Sequence, residues 1–169
     1  MTTARKLEVA VSPIPEGYHT VTTCITVSGA DAAIAFYKKA FGAELLDRMN
    51  GPDGKTVVHA SLRIGDSIIF LSDEYPGFEA RSPKTLGASS SSIYLYVKDS
   101  DAAFRRAVEA GGVAKHEPGN MFWGDRCGTI VDPFGFHWDL ATHIEDVPPD
   151  EMRKRGEKFM KEMTPGAEK

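Results

Sequence analysis

The chain repeats itself. Val27, Asp31, Ala32, Ala33, Ala40, Gly42 and Gly65 recur seventy positions later as Val97, Asp101, Ala102, Ala103, Ala110, Gly112 and Gly135. The register runs without a gap from the first strand-like segment of each half to its last turn. A repeat of this length is one supersecondary unit, and a unit of that size hides its apolar surface by packing on its neighbour. The shared glycines fall where a helix ends and where a turn closes, the places at which backbone geometry selects glycine. Two like modules around a common core therefore constrain the fold more than any single motif does.

Each copy reads β-α-β-β-β. In the first, Tyr18–Val27 is β-branched and predicts a strand, with Ile25 and Val27 facing opposite to Thr22, Cys24 and Thr26. Ser28 or Asp31 is placed to cap a helix over 32–41, in which Ala33, Ile34, Tyr37, Ala40 and Phe41 follow helical spacing. Leu45–Met49 is a strand, Asn50–Gly54 a hairpin turn, Val57–Ile64 an alternating strand and Ile68–Leu71 a short buried one. The pattern then breaks. Ser72–Ser91 holds Pro76, Gly77, Pro83, Gly87 and a serine run, and reads as a linker or flexible flap. It restarts with a strand at Ile93–Val97, a helix over 102–110 capped by Asp99 or Ser100, a loop or short strand at His116–Met121 and a strand at Asp125–Val131. Asp132-Pro133-Phe134-Gly135 is a turn. It leads into a last strand with His137, Asp139 and His143 on one side and Phe136, Trp138 and Leu140 on the other.

The expected organisation is an N-terminal arm at 1–17 and a domain at 18–147, followed by a helix at 148–163. The domain divides into module 1 at 18–72, a linker at 73–91 and module 2 at 92–147. In the final helix Met152, Phe159, Met160 and Met163 form an apolar stripe, which predicts docking on this chain or on a second copy. The fold class is α+β: two tandem βαβββ modules forming a cup-shaped mixed sheet, plus a C-terminal helix.

Composition narrows the function. With 41% hydrophobic and 26% charged residues the chain matches an ordinary globular protein, and a net charge of -4 gives no electrostatic footprint for nucleic acid. No apolar run reaches the roughly 20 residues of a membrane span, and the N-terminus lacks the apolar core of a secretory signal. Two cysteines are too few for a disulfide framework, so a reducing cytoplasmic setting is the default expectation.

The paired modules resemble a known superfamily. The carriers are Ala35-Phe36-Tyr37-Lys38-Lys39-Ala40-Phe41-Gly42-Ala43, Trp123-Gly124-Asp125-Arg126 running to Asp132-Pro133-Phe134-Gly135, and the ending Ala141–Val147. Together they are similar to the vicinal oxygen chelate proteins: glyoxalase I, extradiol dioxygenases, fosfomycin resistance enzymes and bleomycin resistance proteins. Within these, the chain looks most like the PhnB-like group. The resemblance covers about residues 18–147. It implies a cup between modules as the pocket, and a homodimer.

In superfamily enzymes four side chains hold a divalent metal, two from each module. The resemblance puts those positions here at Thr22, Ser92, Ile69 or Phe70, and Asp139. Only Asp139 is a competent ligand, because hydroxyls are poor donors for zinc, nickel or iron. No cofactor and no superfamily-type metal site are expected. A displaced site would draw on His19, Cys24, His59, His137 and His143, but residues 137 and 143 lie roughly 20 Å apart on a straight strand.

Strand phase predicts a polar pocket for a small organic molecule, lined by Thr22, Cys24, His59, Arg63, Ser92, Tyr94 and Tyr96, with Trp123 and Arg126 above it. His137 and Asp139 are the candidate acid–base pair, and Arg126 is a candidate anion clamp or a strand-bridging residue. Three readings follow. One is a metal-free binding protein acting by sequestration. The second is an enzyme, either a metal-dependent lyase, isomerase or dioxygenase with relocated ligands, or an acid–base catalyst using His137 and Asp139. The third is a structural or regulatory homodimer with a vestigial pocket.

Overall fold

The computed structural model describes residues 11–163, so residues 1–10 of the expected arm lie outside it. Module 1 comprises β1 (Thr23–Val27), α1 (Ala30–Phe41), β2 (Glu44–Asn50), β3 (Val57–Ile64) and β4 (Ser67–Asp73). A short helix α2 (Pro83–Leu86) follows. Module 2 comprises β5 (Ser92–Tyr96), α3 (Ser100–Glu109), β6 (Val113–Asn120), β7 (Asp125–Val131) and β8 (His137–His143), and α4 (Pro149–Met163) ends the described chain.

The sheets are ordered β1-β4-β3-β2 and β5-β8-β7-β6. In each, the first strand pairs parallel to the last and the other pairs are antiparallel. The expected α+β architecture is therefore present: tandem βαβββ modules, each with a four-stranded mixed sheet, and a helix at the end.

One face of each sheet is apolar. Ile25, Val27, Leu62, Ile69 and Leu71 on the first and Ile130, Trp138 and Leu140 on the second belong to a single buried cluster with Ala33, Tyr37, Phe41, Phe104 and Ala107 of the helices. The apolar stripe read from α1 is buried as expected. Three contacts lock the modules together: Tyr37 stacks on Phe41 and lies 5.4 Å from the Trp138 ring, Arg106 Nε donates to the Ala40 carbonyl at 2.7 Å, and Tyr37 Oη donates to Asp132 at 2.8 Å. Since both apolar faces meet one core, the opposite, polar face of each sheet looks away from it.

Several expectations change. The first strand starts at Thr23, where its pairing with β4 begins opposite Ile69, rather than at Tyr18; Val21 is exposed. Neither Ser28 nor Asp31 caps α1. Asp73 at the end of β4 does so from a distance, accepting from the amides of Gly29 and Ala30. Asp99 caps α3 through the Ala102 amide, as its position suggested. The uncertain segment near His116 is a full strand, β6, tolerated despite Pro118 because it is an edge strand with irregular register.

The linker is docked. Ser82 caps α2 and is itself held by the Glu74 carboxylate, and Pro83 is buried against Gly135. A Cβ at Gly135 would come within 2.9 Å of the Pro83 Cβ, and its φ is 94°. The turn glycine of module 2 therefore serves close approach of the linker as well as the turn.

Candidate functional site

The polar face of module 2 carries the densest cluster of functional groups. Strand pairing sets Ser92 beside His137, Tyr94 beside Asp139 and Tyr96 beside Ala141. It also sets Thr129 beside Asp139 and Asp125 beside His143. Alternation then puts Ser92, Tyr94, Tyr96, Asp125, Cys127, Thr129, His137, Asp139 and His143 on one surface.

At one end of that surface Asp125 is 2% exposed and accepts four hydrogen bonds. The donors are Tyr94 Oη at 2.9 Å, Tyr96 Oη at 3.0 Å, Trp123 Nε1 at 3.1 Å and His143 Nδ1, 2.8 Å away. His143 Nε2 lies 3.0 Å from Asp146. Burial pushes the Asp125 carboxyl up, but the hydrogen bonds from His143, Tyr94, Tyr96 and Trp123 outweigh it and hold the group below its ordinary value. The bonds to Asp146 and then Asp125 raise the His143 imidazole. Burial, aided by the bond to Asp125, raises the Tyr94 phenol, and the bond to Asp125 raises that of Tyr96. Both phenols keep their protons and donate them to Asp125, and Tyr94 Oη also accepts from the Trp123 indole at 3.3 Å.

The aromatic groups form a continuous shelf. The Tyr94 and Tyr96 rings lie 5.2 Å apart, Trp123 Nε1 sits 3.3 Å from Tyr94 Oη, and Phe122 bridges Trp123 to Phe159 of α4. Tyr94 is 41% and Tyr96 62% exposed, so the shelf presents large rings to solvent. Gly124 makes the shelf possible. Its carbonyl accepts from Ile144 and Glu145, and a side chain there would overlap the Glu145 carbonyl oxygen. Arg155 clamps α4 in place through both oxygens of Glu145 and through Glu151.

A groove of about 790 Å³ runs between the modules along the β5 edge. Tyr94 and Tyr96 are on its rim, Val21 and Ile69 on its far wall, and Phe41 and Trp138 on its floor.

Not every expected residue joins this site. Thr22, Cys24, His59 and Arg63 lie on the polar face of module 1, across the shared core from Asp139. His59 is occupied there with Ser61 at 3.1 Å and the Phe70 ring at 4.9 Å, and Arg63 pairs with Glu44. Arg126 points the other way, toward α3, where it grips both oxygens of Asp101 and reaches Asn120. Its phase on β7, opposite to Asp125, turns it from the polar face, so it has the bridging role and not that of a clamp. His137 and Asp139 share the face, but Asp139 accepts from Thr129 at 2.6 Å and makes no hydrogen bond to His137. Sequence reasoning named Tyr94, Tyr96 and Trp123 as pocket residues and put His143 on the face of Asp139, but it did not single out Asp125 as the group that joins them. A carboxylate opening a strand two residues after a tryptophan was the available signal.

The superfamily metal positions do not fit an ion. Besides Asp139 the positions are held by Thr22, Ser92 and apolar Ile69 or Phe70, and among the described residues no three His, Cys, Asp or Glu side chains cluster closely enough to hold one.

The fold and this face define a tandem-βαβββ protein with a polar surface against a shared helical core. Residues 18–140 match the model of the Glyoxalase/Bleomycin resistance protein/Dioxygenase superfamily, and the chain belongs to that family. An uncharacterized protein of Mycobacterium bovis is 42% identical over 132 residues, covering 76% of this chain and 86% of its own. Among solved structures, an Arabidopsis thaliana gene product has a TM-score of 0.59 at 28% identity, covering 73% of this chain and 98% of that one. A PhnB protein from Bacillus cereus gives 0.56 at 18%, covering 73% and 99%. A Zea mays glyoxalase I mutant gives 0.58 at 22%, covering 73% and 45%. Among the described residues no helix is long and apolar enough to cross a membrane.

Proposed function

We propose that the protein binds a small, planar, polar organic molecule at the tyrosine shelf on the rim of the inter-module groove, without the superfamily metal. One observation carries this reading: Tyr94, Tyr96 and Trp123 are held in fixed positions by a single buried carboxylate while the two tyrosine rings stay exposed. Fixed aromatic faces bind flat ligands at little entropic cost. The acceptor capacity left on the Tyr96 phenol, with the Asp139 carboxylate on the same face, favours a ligand carrying N–H or O–H donors. A second copy of the chain completes the enclosure. Large exposed apolar groups, among them Val21, Met49, Tyr94 and Tyr96, lie beside the unpaired edges of β1 and β5 or on the open faces, and burying them in a homodimer relieves that exposure. Cys24 and Cys127 are free thiols, which suits the cytoplasm.

The enzymatic alternative with relocated metal ligands is separable from this reading in one preparation. Protein purified without added metal goes to elemental analysis and light scattering, then to ligand titration followed by Trp123 fluorescence. The expected outcome is no stoichiometric transition metal, a mass twice the 18.4 kDa of one chain, and quenching by a donor-rich aromatic ligand. Tyr94→Ala with Tyr96→Ala should weaken that binding at least roughly tenfold, about 1.4 kcal/mol. A stoichiometric metal lost in Asp139→Ala would overturn the proposal.

A further inference from the structure

At the opposite end of β7 and β8 from Asp125, where Val131 pairs with His137, the docked linker roofs a second, separate pocket. Its volume is about 380 Å³. Lys84, Lys115 and His137 are its only titratable lining groups; the rest is small or aliphatic, including Pro83, Ala88 and Val131. The chain as a whole is acidic, with 24 Asp and Glu against 20 Lys and Arg. Yet no carboxylate lines this pocket. Among the described residues, neither lysine ammonium pairs with an acid. Lys84 Nζ instead lies 5.7 Å from the centroid of the Phe134 ring. The roof is pre-formed: Ser82 and Glu74 fix the start of α2, and Pro83 rests on Gly135.

We infer that this pocket binds the oxyanion group, phosphate or carboxylate, of a small aliphatic molecule. Two ammonium groups beside an imidazole, none neutralised by a neighbouring acid, attract an anion electrostatically, and N–H donors on charged groups form the stronger class of hydrogen bond with its oxygens. The short apolar walls suit a small aliphatic body. The site lies where the linker meets module 2, and it does not depend on the tyrosine shelf.

The test uses the full chain labelled with ¹⁵N and titrated at constant ionic strength with inorganic phosphate, methylphosphonate or butyrate. The expected result is saturable amide shifts at Gly87, Ala88, Ser89, Gly135 and His137. Lys84→Ala and Lys115→Ala, both at exposed positions, should each weaken binding at least roughly tenfold, about 1.4 kcal/mol. Lys38→Ala, on α1, should bind as the parent does, and so should Tyr94→Ala, which separates this site from the shelf. Saturation by the phosphorus compounds alone identifies a phosphate-type group, and saturation by butyrate alone a carboxylate; either supports the inference. Shifts that rise linearly without saturating, or lysine variants that bind like the parent, would overturn it.

Discussion

Asp125 and His143 show how a residue pair can be a structural and an electrostatic device together. Asp125 is nearly buried, so an unpaired charge there would be costly, and four donors are supplied to it. His143 sits between Asp125 and Asp146 and is raised above its ordinary value by both. The contribution of the protonated imidazole is complete below the ordinary histidine value and is lost as pH climbs through the raised one. That of Asp125 is present above the ordinary carboxylate value and is lost as pH falls through its lowered one. The pair is thus strongest between those limits. Melting curves from about pH 6 to about pH 9 should show the native protein losing more stability than His143→Gln over that span. Parallel curves would mean that the imidazole is not charged at the lower pH. The effect should be modest, since His143 is half exposed.

At the scale of elements, the turn between β7 and β8 ties the molecule together. One oxygen of Asp132 accepts the amides of Phe134 and Phe136, and the other accepts Trp138 Nε1 at 2.9 Å and Tyr37 Oη at 2.8 Å. A side chain in a turn of module 2 therefore holds a helix of module 1. Asp132→Ala would leave four buried donors without an acceptor. Calorimetry should find a loss of roughly 3–5 kcal/mol, a melting shift on the order of 10 °C. A shift within a degree or two of the parent would show that water or a rearranged turn replaces the carboxylate. This turn was legible in the sequence as a turn, from Pro133 and Gly135, and β8 was legible from its alternation. The long-range roles of Asp132 and Asp73 were not, because a carboxylate's partner ninety-odd or forty-odd residues away leaves no local pattern. The docking of the linker was hidden for the same reason. Pro83 and Gly87 look like breakers until Gly135 is seen to receive Pro83. Phase was readable along β1 and β8, whereas the relation between the two polar faces was not. Alternation says which side a residue takes, but not what the other sheet's side looks at.

At the scale of the molecule, both modules lean on a single core. Helix α1 alone contacts its own sheet, α3 and Trp138, and the buried cluster runs across both halves without a break. Neither half can hide its apolar face when separated from the other, so unfolding should be one cooperative event. The crossing between the halves is of a different kind. Residues 76–81 are exposed and lie outside every helix and strand, flanked by β4 on one side and the pinned α2 on the other. The covalent thread is dispensable there in a way that the core is not. Severed at that point, the two halves retain every contact that makes them one body, and as separately produced fragments they are a ready pair for reconstitution by complementation.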